Sequence, residues 1–403
     1  MIDTIVLTLE ASSMFAILDP TRFEPSASFI LDRTQTLGGR GYATAKQNPT
    51  PAELRNGIYK PYLTLTRRFK DGRSVAMLKI QFSIPKLMFG NNFDELQDGD
   101  YDKVFERLSE RLNDMGIRMW NMPDTLHNAQ VSAIHYSKNI VLTDGSTPKQ
   151  YIDKLRAGNH SMRLDTNQTD YRNEGTSWKL HTNTYEIAYY DKVADLRQAR
   201  ISDKRAIEQD NSIQLNLFDQ IKKLPSRTPF EVLRMEVRLN RRQTIKATLK
   251  RLEIDEPVTL RGLFHQEIAK KVLLSYLDLS TAQPALLSYQ PTSEIDLLSE
   301  LRVKNPTLSP GKLLALYGLK EAVDKVGIRD LRQILGSNNR ASWYKLIKEA
   351  KSVVLAPSSD PFGPVRSQIT NYHPLKLLDY REIMINNDKR IILWQTSITP
   401  SKK

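Results

Sequence analysis

The stretch Glu231–Leu239, which reads EVLRMEVRL, decides the fold class because its apolar and charged residues alternate. Successive side chains of a strand point to opposite faces. One face therefore carries four apolar residues, Leu233, Met235, Val237 and Leu239. The other face carries three charged residues, Arg234, Glu236 and Arg238. This pattern is typical of an antiparallel sheet packed on one side only, so we expect one buried face and one working face.

A second strand is predicted in the stretch 181–192, which reads HTNTYEIAYYDK. At a period of two residues, its buried face would carry Tyr185, Ile187 and Tyr189. Its accessible face would carry Glu186, Ala188 and Tyr190. A tyrosine hydroxyl on an accessible face, two residues before Lys192, is a candidate nucleophile. The alternative is a structural tyrosine whose hydroxyl is satisfied within the fold.

Outside these two stretches, the chain changes from strands to helices along its length. About the first ninety residues read mostly as strands, the stretch 101–117 has helical spacing, and helices dominate from Thr259 onward. The stretch 195–223 is predicted to be helical, and the tail after Pro357 to be loop with one strand at 390–394. The predicted class is α+β, with an antiparallel β-sheet core that has helices on one face, followed by a helical C-terminal domain. The predicted domains are 1–255, 256–356 and 357–403.

The stretch 309–350 predicts short helices broken at three glycines, Gly318, Gly327 and Gly336. Three arginines in this block are candidate DNA contacts, Arg329, Arg332 and Arg340. Short helices joined by glycine turns suit a helix-turn-helix-like DNA module. An ordinary helical accessory domain is the alternative.

The charge of the chain predicts a polyanionic partner. The 403 residues include 59 Lys and Arg against 46 Asp and Glu, a formal net charge of +13. A protein this basic often binds nucleic acid. We expect no membrane association, because no apolar run approaches the roughly 20 residues of a spanning helix. The chain has no cysteine, and its start lacks a basic segment, so we expect a reducing cytoplasmic setting without a signal peptide.

Several catalytic motifs are absent, and their absence narrows the chemistry. The sequence has no G-x-x-x-x-G-K-[ST] and no G-x-G-x-x-G, so we expect any helicase activity to come from another protein. The six histidines form no H-x-H or H-E-x-x-H pattern, which disfavours a zinc hydrolase.

The remaining residues suit phosphodiester transfer. A phenol with a pKa of about 10 needs help at neutral pH. Mg²⁺ or Mn²⁺, held by an acid and an imidazole such as Glu236 and His135, would polarise the phosphate. Lys192 could stabilise the phenolate or the leaving oxygen.

Five motifs in order resemble the gene II/X replication initiators of filamentous phages and related plasmids. The similar stretches are MIDTIVLTL from Met1, KIQFSIPKLMFGNN from Lys79, VSAIH from Val131, IAYYDKVADL from Ile187 and LRMEVRL from Leu233. The block from Ser309 to Tyr344 is similar to the family's C-terminal helices. By this resemblance Tyr190 is the nucleophile, in a Y-x-K spacing with Lys192, and Glu236 is the acid at the metal. His135 departs from the pattern, because an acid is common there. Tyr189 is the rival nucleophile.

The resemblance implies site-specific nicking and rejoining of a replication origin through a covalent 5′-phosphotyrosine, which starts rolling-circle replication. The implied partners are single-stranded or supercoiled origin DNA, a host helicase and a host DNA polymerase, and a homodimer is one option for the assembly. The DNA backbone would be held by basic residues, among them Arg234, Arg238, Arg241 and Arg242. Two alternatives stay open: a non-catalytic DNA-binding regulator, and a conjugative relaxase.

Overall fold

The structure is a computed structural model of the chain. It describes residues 1–10, 14–32, 42–50, 52–53, 58–70, 73–143, 145–157, 165–172, 175–195, 231–281, 285–288, 297–336, 340–355 and 360–376. The predicted strand at 390–394, and all of the predicted helix at 195–223 except Asp195, lie outside these residues.

Within the described residues the strands form one large sheet and one small one. The strands are β1 Ile2–Glu10, β2 Phe15–Ile17, β3 Tyr42–Gln47, β4 Tyr62–Lys70, β5 Arg73–Ser83, β6 Ile117–Met119, β7 Gln130–Leu142, β8 Asp165–Arg172, β9 Ser177–His181, β10 Tyr185–Asp191 and β11 Glu231–Leu239. The large sheet has nine strands in the order β3-β4-β5-β1-β7-β11-β10-β9-β8. Every neighbouring pair in it is antiparallel. The small sheet pairs β2 with β6.

The helices in the described residues are α1 Ala27–Leu31, α2 Ile84–Phe89, α3 Tyr101–Asp114, α4 Met122–His127, α5 Pro148–Ala157, α6 Arg242–Arg251, α7 Leu260–Leu263, α8 Gln266–Thr281, α9 Ala285–Ser288, α10 Leu297–Lys304, α11 Pro310–Val326, α12 Ile328–Gly336, α13 Arg340–Ser352 and α14 Gly363–Thr370. The predicted α+β class is confirmed. None of these helices is long and apolar enough to cross a membrane.

The alternation in β11 separates its two faces. Leu233, Met235 and Val237 are at most 1% exposed and belong to a core that also includes apolar residues of α3, α6 and α8. Arg234, Glu236 and Arg238 are on the opposite face, in register with the polar residues Asn139, Ser137 and His135 of β7. The local pattern therefore positions a row of charged groups along one side of the sheet.

The described residues contain two hydrophobic cores, whose limits along the chain differ from the predicted domain boundaries. The first core includes α7 and α8 as well as the sheet, so the predicted boundary at residue 255 falls inside its chain segment. It also includes Phe362 to Tyr372, where the predicted loop contains α14, which contacts α8 and β7. The second core contains apolar residues from Leu286 to Val353.

The glycines of the second core do not all break helices. Gly327 has a φ of +86° and lies between α11 and α12, where this positive φ ends α11. Gly318 lies inside α11, contrary to the predicted break there, and Gly336 is the last residue of α12.

Candidate active site

The register of three central strands brings the predicted site residues together. Arg234 lies opposite Tyr190, and Glu236 lies opposite Ala188. On the other side of β11, Arg238 lies opposite His135 of β7. Residues that pair directly in a sheet have their side chains on the same face. The predicted polar face of β10 and β11 is therefore a single surface, to which β7 contributes His135.

Tyr190 lies partly exposed on this face, with its hydroxyl donating to Glu236 Oε2 at 3.3 Å. Burial raises the pKa of Tyr190 well above 10; the charge of Arg234 opposes this rise, while Glu236 adds to it. The phenol is therefore protonated at neutral pH, and its reaction as a nucleophile needs a group that favours loss of the proton.

Tyr189 points into the core instead. It is 0% exposed, and its hydroxyl pairs with Ser280 Oγ of α8 at 2.5 Å. Burial raises its pKa, and the hydrogen bond to Ser280 opposes that rise only in part. The expectation that Tyr189 lies on the buried face agrees with this geometry, and a DNA phosphate cannot reach its hydroxyl without opening the core.

Three side chains from three strands form a candidate metal centre. Asp3 of β1, His135 of β7 and Glu236 of β11 each offer one ligand atom, and these atoms lie within 4.8 Å of one another. His135 Nδ1 lies 3.5 Å from Glu236 Oε1. Two carboxylates and one imidazole are a donor set that fits a hard divalent cation such as Mn²⁺ or Mg²⁺. The predicted pair of Glu236 and His135 is thus brought together.

Asp3 is the member that the sequence analysis missed. Its only signal is that it is the one acid among the first nine residues, in the strand MIDTIVLTL. Its position depends on an irregular pairing of β1 with β7, where the register shifts between Ile2 and Thr4. In a regular strand, where side chains alternate between the two faces, Asp3 would lie on the same face as the buried Ile5.

The arginines of β11 are engaged with these carboxylates. Arg234 is 2% exposed and donates to Asp3 Oδ1 at 2.5 Å, to Ser137 Oγ at 2.9 Å and to the carbonyl of Asn92. Its predicted role as a DNA contact does not suit this burial, because its guanidinium has no accessible face. Arg234 instead neutralises and positions Asp3.

Arg238 donates hydrogen bonds to both carboxylate oxygens of Glu236. Its Nε lies 2.9 Å from Oε1 and its Nη2 lies 3.1 Å from Oε2, while its Nη1 donates to Glu186 Oε1 at 2.7 Å. Burial alone would raise the pKa of Glu236, but the charge of Arg238 and a hydrogen bond from His135 hold it well below its usual range. Glu236 is therefore ionised at neutral pH.

Lys192 lies over the ring of Tyr190. Its Nζ is 5.6 Å from the ring centroid and 3.4 Å from Asp195 Oδ2, and the side chain is 0% exposed. Burial lowers the pKa of Lys192 to about 8, although the nearby Asp195 opposes the change. The Lys192 ammonium is therefore a buried cation at the site, and its pKa lies close to neutral pH.

The other predicted DNA contacts lie farther along the chain. Arg241 precedes α6, and Arg242 begins α6 and donates to Gln130 Oε1 at 2.5 Å. Arg242 and Gln130 line two adjoining cavities of about 670 and 330 Å³, one with Lys246 and Lys250 and the other with Lys79. Arg329, Arg332 and Arg340 are on α12 and α13 of the second core, and the side chains of Arg329 and Arg340 lie outside the described part of the chain.

Comparison of the chain with protein-family models, with curated proteins and with solved structures finds no match. The resemblance to phage and plasmid replication initiators therefore stays a prediction from the sequence motifs.

Proposed function

We propose that this protein is a metal-dependent DNA strand transferase that nicks and rejoins a replication origin and so initiates rolling-circle replication. The observation that carries this proposal is the hydrogen bond from the Tyr190 hydroxyl to Glu236, because Glu236 is also a member of the Asp3–His135–Glu236 cluster. A hydroxyl nucleophile is thereby placed beside a site for a cation that could bind the phosphate under attack.

In the proposed reaction, Tyr190 Oη forms a bond to the phosphorus of one phosphodiester in single-stranded DNA. The bond from phosphorus to the 3′ oxygen breaks, which leaves the 5′ phosphate on Tyr190 and a free 3′-hydroxyl. The phenol loses one proton and the leaving oxygen gains one, so the step is balanced. The reverse reaction rejoins the strand.

The residues of the site have separate roles in this step. Glu236 accepts the phenol hydrogen bond and orients the attacking oxygen, and Asp3, His135 and Glu236 would hold Mg²⁺ or Mn²⁺. The bound cation would offset the charge that develops on the phosphate oxygens. The buried ammonium of Lys192, 5.6 Å from the centroid of the Tyr190 ring, would stabilise the phenolate or the leaving oxygen.

The charge of the surrounding surface supports a DNA substrate. Arg242, Lys246 and Lys79 line cavities near β1, β7 and α6, and the chain as a whole carries a net charge of +13. Contacts from such residues to phosphates release counterions, so binding should weaken as salt rises. A host polymerase would extend the 3′-hydroxyl, and a host helicase would open the duplex.

The test is formation of a covalent protein–DNA adduct. A 5′-labelled and a 3′-labelled single-stranded oligonucleotide from the origin of the chain's own replicon are each incubated with the protein and Mn²⁺, then resolved by denaturing electrophoresis. We expect a shifted protein band carrying only the 3′-label, and its loss with chelator. Salt-sensitive DNA binding without any covalent band would refute strand transfer and favour the regulator.

A further inference from the structure

Arg238 and a metal ion at the candidate centre would compete for the carboxylate of Glu236. Arg238 takes both of its carboxylate oxygens in a two-point hydrogen-bonded pair, at 2.9 and 3.1 Å. Such bidentate pairs are among the stronger charge-assisted interactions in proteins. Each of these oxygens also has a second neighbour, Tyr190 Oη at 3.3 Å from Oε2 and His135 Nδ1 at 3.5 Å from Oε1, so a cation that binds at Asp3, His135 and Glu236 competes with Arg238 for the lone pairs of Glu236.

The two arginines of the site differ in their freedom to move. Arg234 is 2% exposed and donates to Asp3, Ser137 and the Asn92 carbonyl, so its release would break three hydrogen bonds. The side chain of Arg238 is 26% exposed on the accessible face, so it has room to turn.

Glu186 gives Arg238 a second carboxylate to hold. It already accepts from Arg238 Nη1 at 2.7 Å, and it lies in the next strand, β10, directly opposite Arg238. Glu186 is itself held by His181 at 2.9 Å. Arg238 can therefore leave Glu236 without losing its only counterion, which keeps the displacement inexpensive.

We propose that Arg238 is a movable cation that competes with the divalent metal for Glu236 and, once displaced, remains on Glu186 with two N–H donors turned toward the substrate phosphate. The metal competition follows from contacts at the site, whereas the phosphate contact rests on the proposed function. Because metal and phosphate would then favour the same position of Arg238, each should raise the affinity for the other.

A plain charge effect is the main alternative. Removing a positive charge near any cation site strengthens binding, and removing a negative charge weakens it, whether or not a side chain moves. Two variants distinguish competition by Arg238 from a plain charge effect. Arg238→Lys keeps the positive charge but cannot make the two-point hydrogen-bonded pair with Glu236. The double variant Arg238→Gln/Glu186→Gln tests whether Glu186 acts on metal binding through Arg238.

The experiment is titration calorimetry of Mn²⁺ into the full chain without DNA. We expect Arg238→Gln to bind Mn²⁺ about tenfold tighter and Arg238→Lys several-fold tighter than the unsubstituted chain, by analogy with the energies of close ion pairs. Glu186→Gln should weaken binding several-fold, yet have no effect when Arg238→Gln is already present. Arg366→Gln, which removes an arginine paired with Asp278, is the control and should change nothing.

The competition is overturned if Arg238→Lys binds like the unsubstituted chain, or if Glu186→Gln weakens binding equally in both backgrounds. It is also overturned if the gain in Arg238→Gln survives addition of Glu236→Gln, because the metal would then bind elsewhere. Since the titration contains no DNA, its outcome is separate from strand transfer: a chain that shows the expected metal pattern but forms no adduct would keep the competition and refute the proposed function.

Discussion

The two faces of β10 give neighbouring tyrosines opposite properties. On the core face, the Tyr189 ring stacks on Trp178 with centroids 6.1 Å apart, and its hydroxyl is closed off by Ser280. On the polar face, Tyr190 is partly exposed, and its hydroxyl meets the carboxylate of Glu236. The same functional group is a packing element on one side of the strand and a candidate nucleophile on the other. The side of the sheet, and not the residue type, separates the two.

The comparison predicts opposite profiles for two single-atom deletions. Tyr190→Phe should lower the rate of adduct formation by at least about a thousandfold, because loss of a nucleophile removes the covalent step. Tyr189→Phe should keep the rate within a few-fold but cost about 1 kcal/mol of unfolding free energy, because it leaves Ser280 without this hydrogen bond. Adduct rates and denaturant melts of both variants check this. Equal losses of rate would erase the proposed difference between the faces.

Substitution of Lys192 tests how much the burial of its charge lowers the unfolding free energy. Lys192→Met should raise the unfolding free energy at pH 7 by up to about 3 kcal/mol, since a buried ammonium with a pKa of about 8 disfavours folding relative to a solvated lysine. The same variant should lose most adduct formation, because it removes the ammonium that would stabilise the phenolate. Lys250→Met, on the exposed side of α6, is the control and should change stability little.

The difference in unfolding free energy between Lys192→Met and the unsubstituted chain should change with pH in one direction. The folded-state pKa of Lys192, about 8, lies below its ordinary value of 10.5, so the unfolded chain binds more protons between these values. The unsubstituted chain therefore gains stability as pH rises from 8 to 10.5, and the advantage of Lys192→Met shrinks over that window. If Lys192→Met is less stable at pH 7, the pair with Asp195 outweighs the cost of burial.

Asp3 tests whether the polar face is a metal centre built from three strands. Asp3→Asn keeps an oxygen that can accept from Arg234 but removes one ligand charge, so we expect Mn²⁺ affinity to fall by about 10- to 100-fold. Calorimetry measures this loss. Glu10→Gln, at the exposed end of the same strand, should leave the affinity unchanged. Identical affinities for the two variants would restrict the ligands to His135 and Glu236.

Arg242 should give the smallest effect. Arg242→Gln should weaken binding of a single-stranded oligonucleotide by about 1 kcal/mol or less, and lower the slope of log affinity against log salt by about 0.7, as for loss of one phosphate contact. Arg251→Gln, at the other end of α6 and over the ring of Tyr276, is the matched control. Fluorescence anisotropy at several salt concentrations distinguishes them. An unchanged slope for Arg242→Gln would show that Arg242 does not contact a DNA phosphate, and would argue against DNA binding at the two cavities that it lines.

The sequence could predict the structural features that depend on residues close to each other in the chain, such as the face of a strand on which a side chain lies. Strand alternation separated Tyr189 from Tyr190, and put Glu236 on a polar face. It could not predict contacts that depend on distant segments. Asp3 reaches the site through an irregular β1–β7 pairing, and the buried Arg234 donates to the carbonyl of the distant Asn92.

The extent of the first hydrophobic core along the chain could not be predicted, for the same reason. The return of α14 to pack on α8 is a contact between segments more than eighty residues apart, which no local pattern encodes. The break expected at Gly318 shows the converse, because the surrounding helix overrides the weak helix propensity of one glycine.

The most direct test of the central claim is to locate the covalent bond. The protein is trapped with an origin oligonucleotide, the DNA is digested to a short remnant, and the tryptic peptide of residues 180–192 is sequenced by mass spectrometry. This peptide contains Tyr185, Tyr189 and Tyr190. We predict a 5′-phosphorylated nucleotide on Tyr190 alone. A nucleotide on Tyr189, or on any other peptide, would contradict the assignment of the two faces.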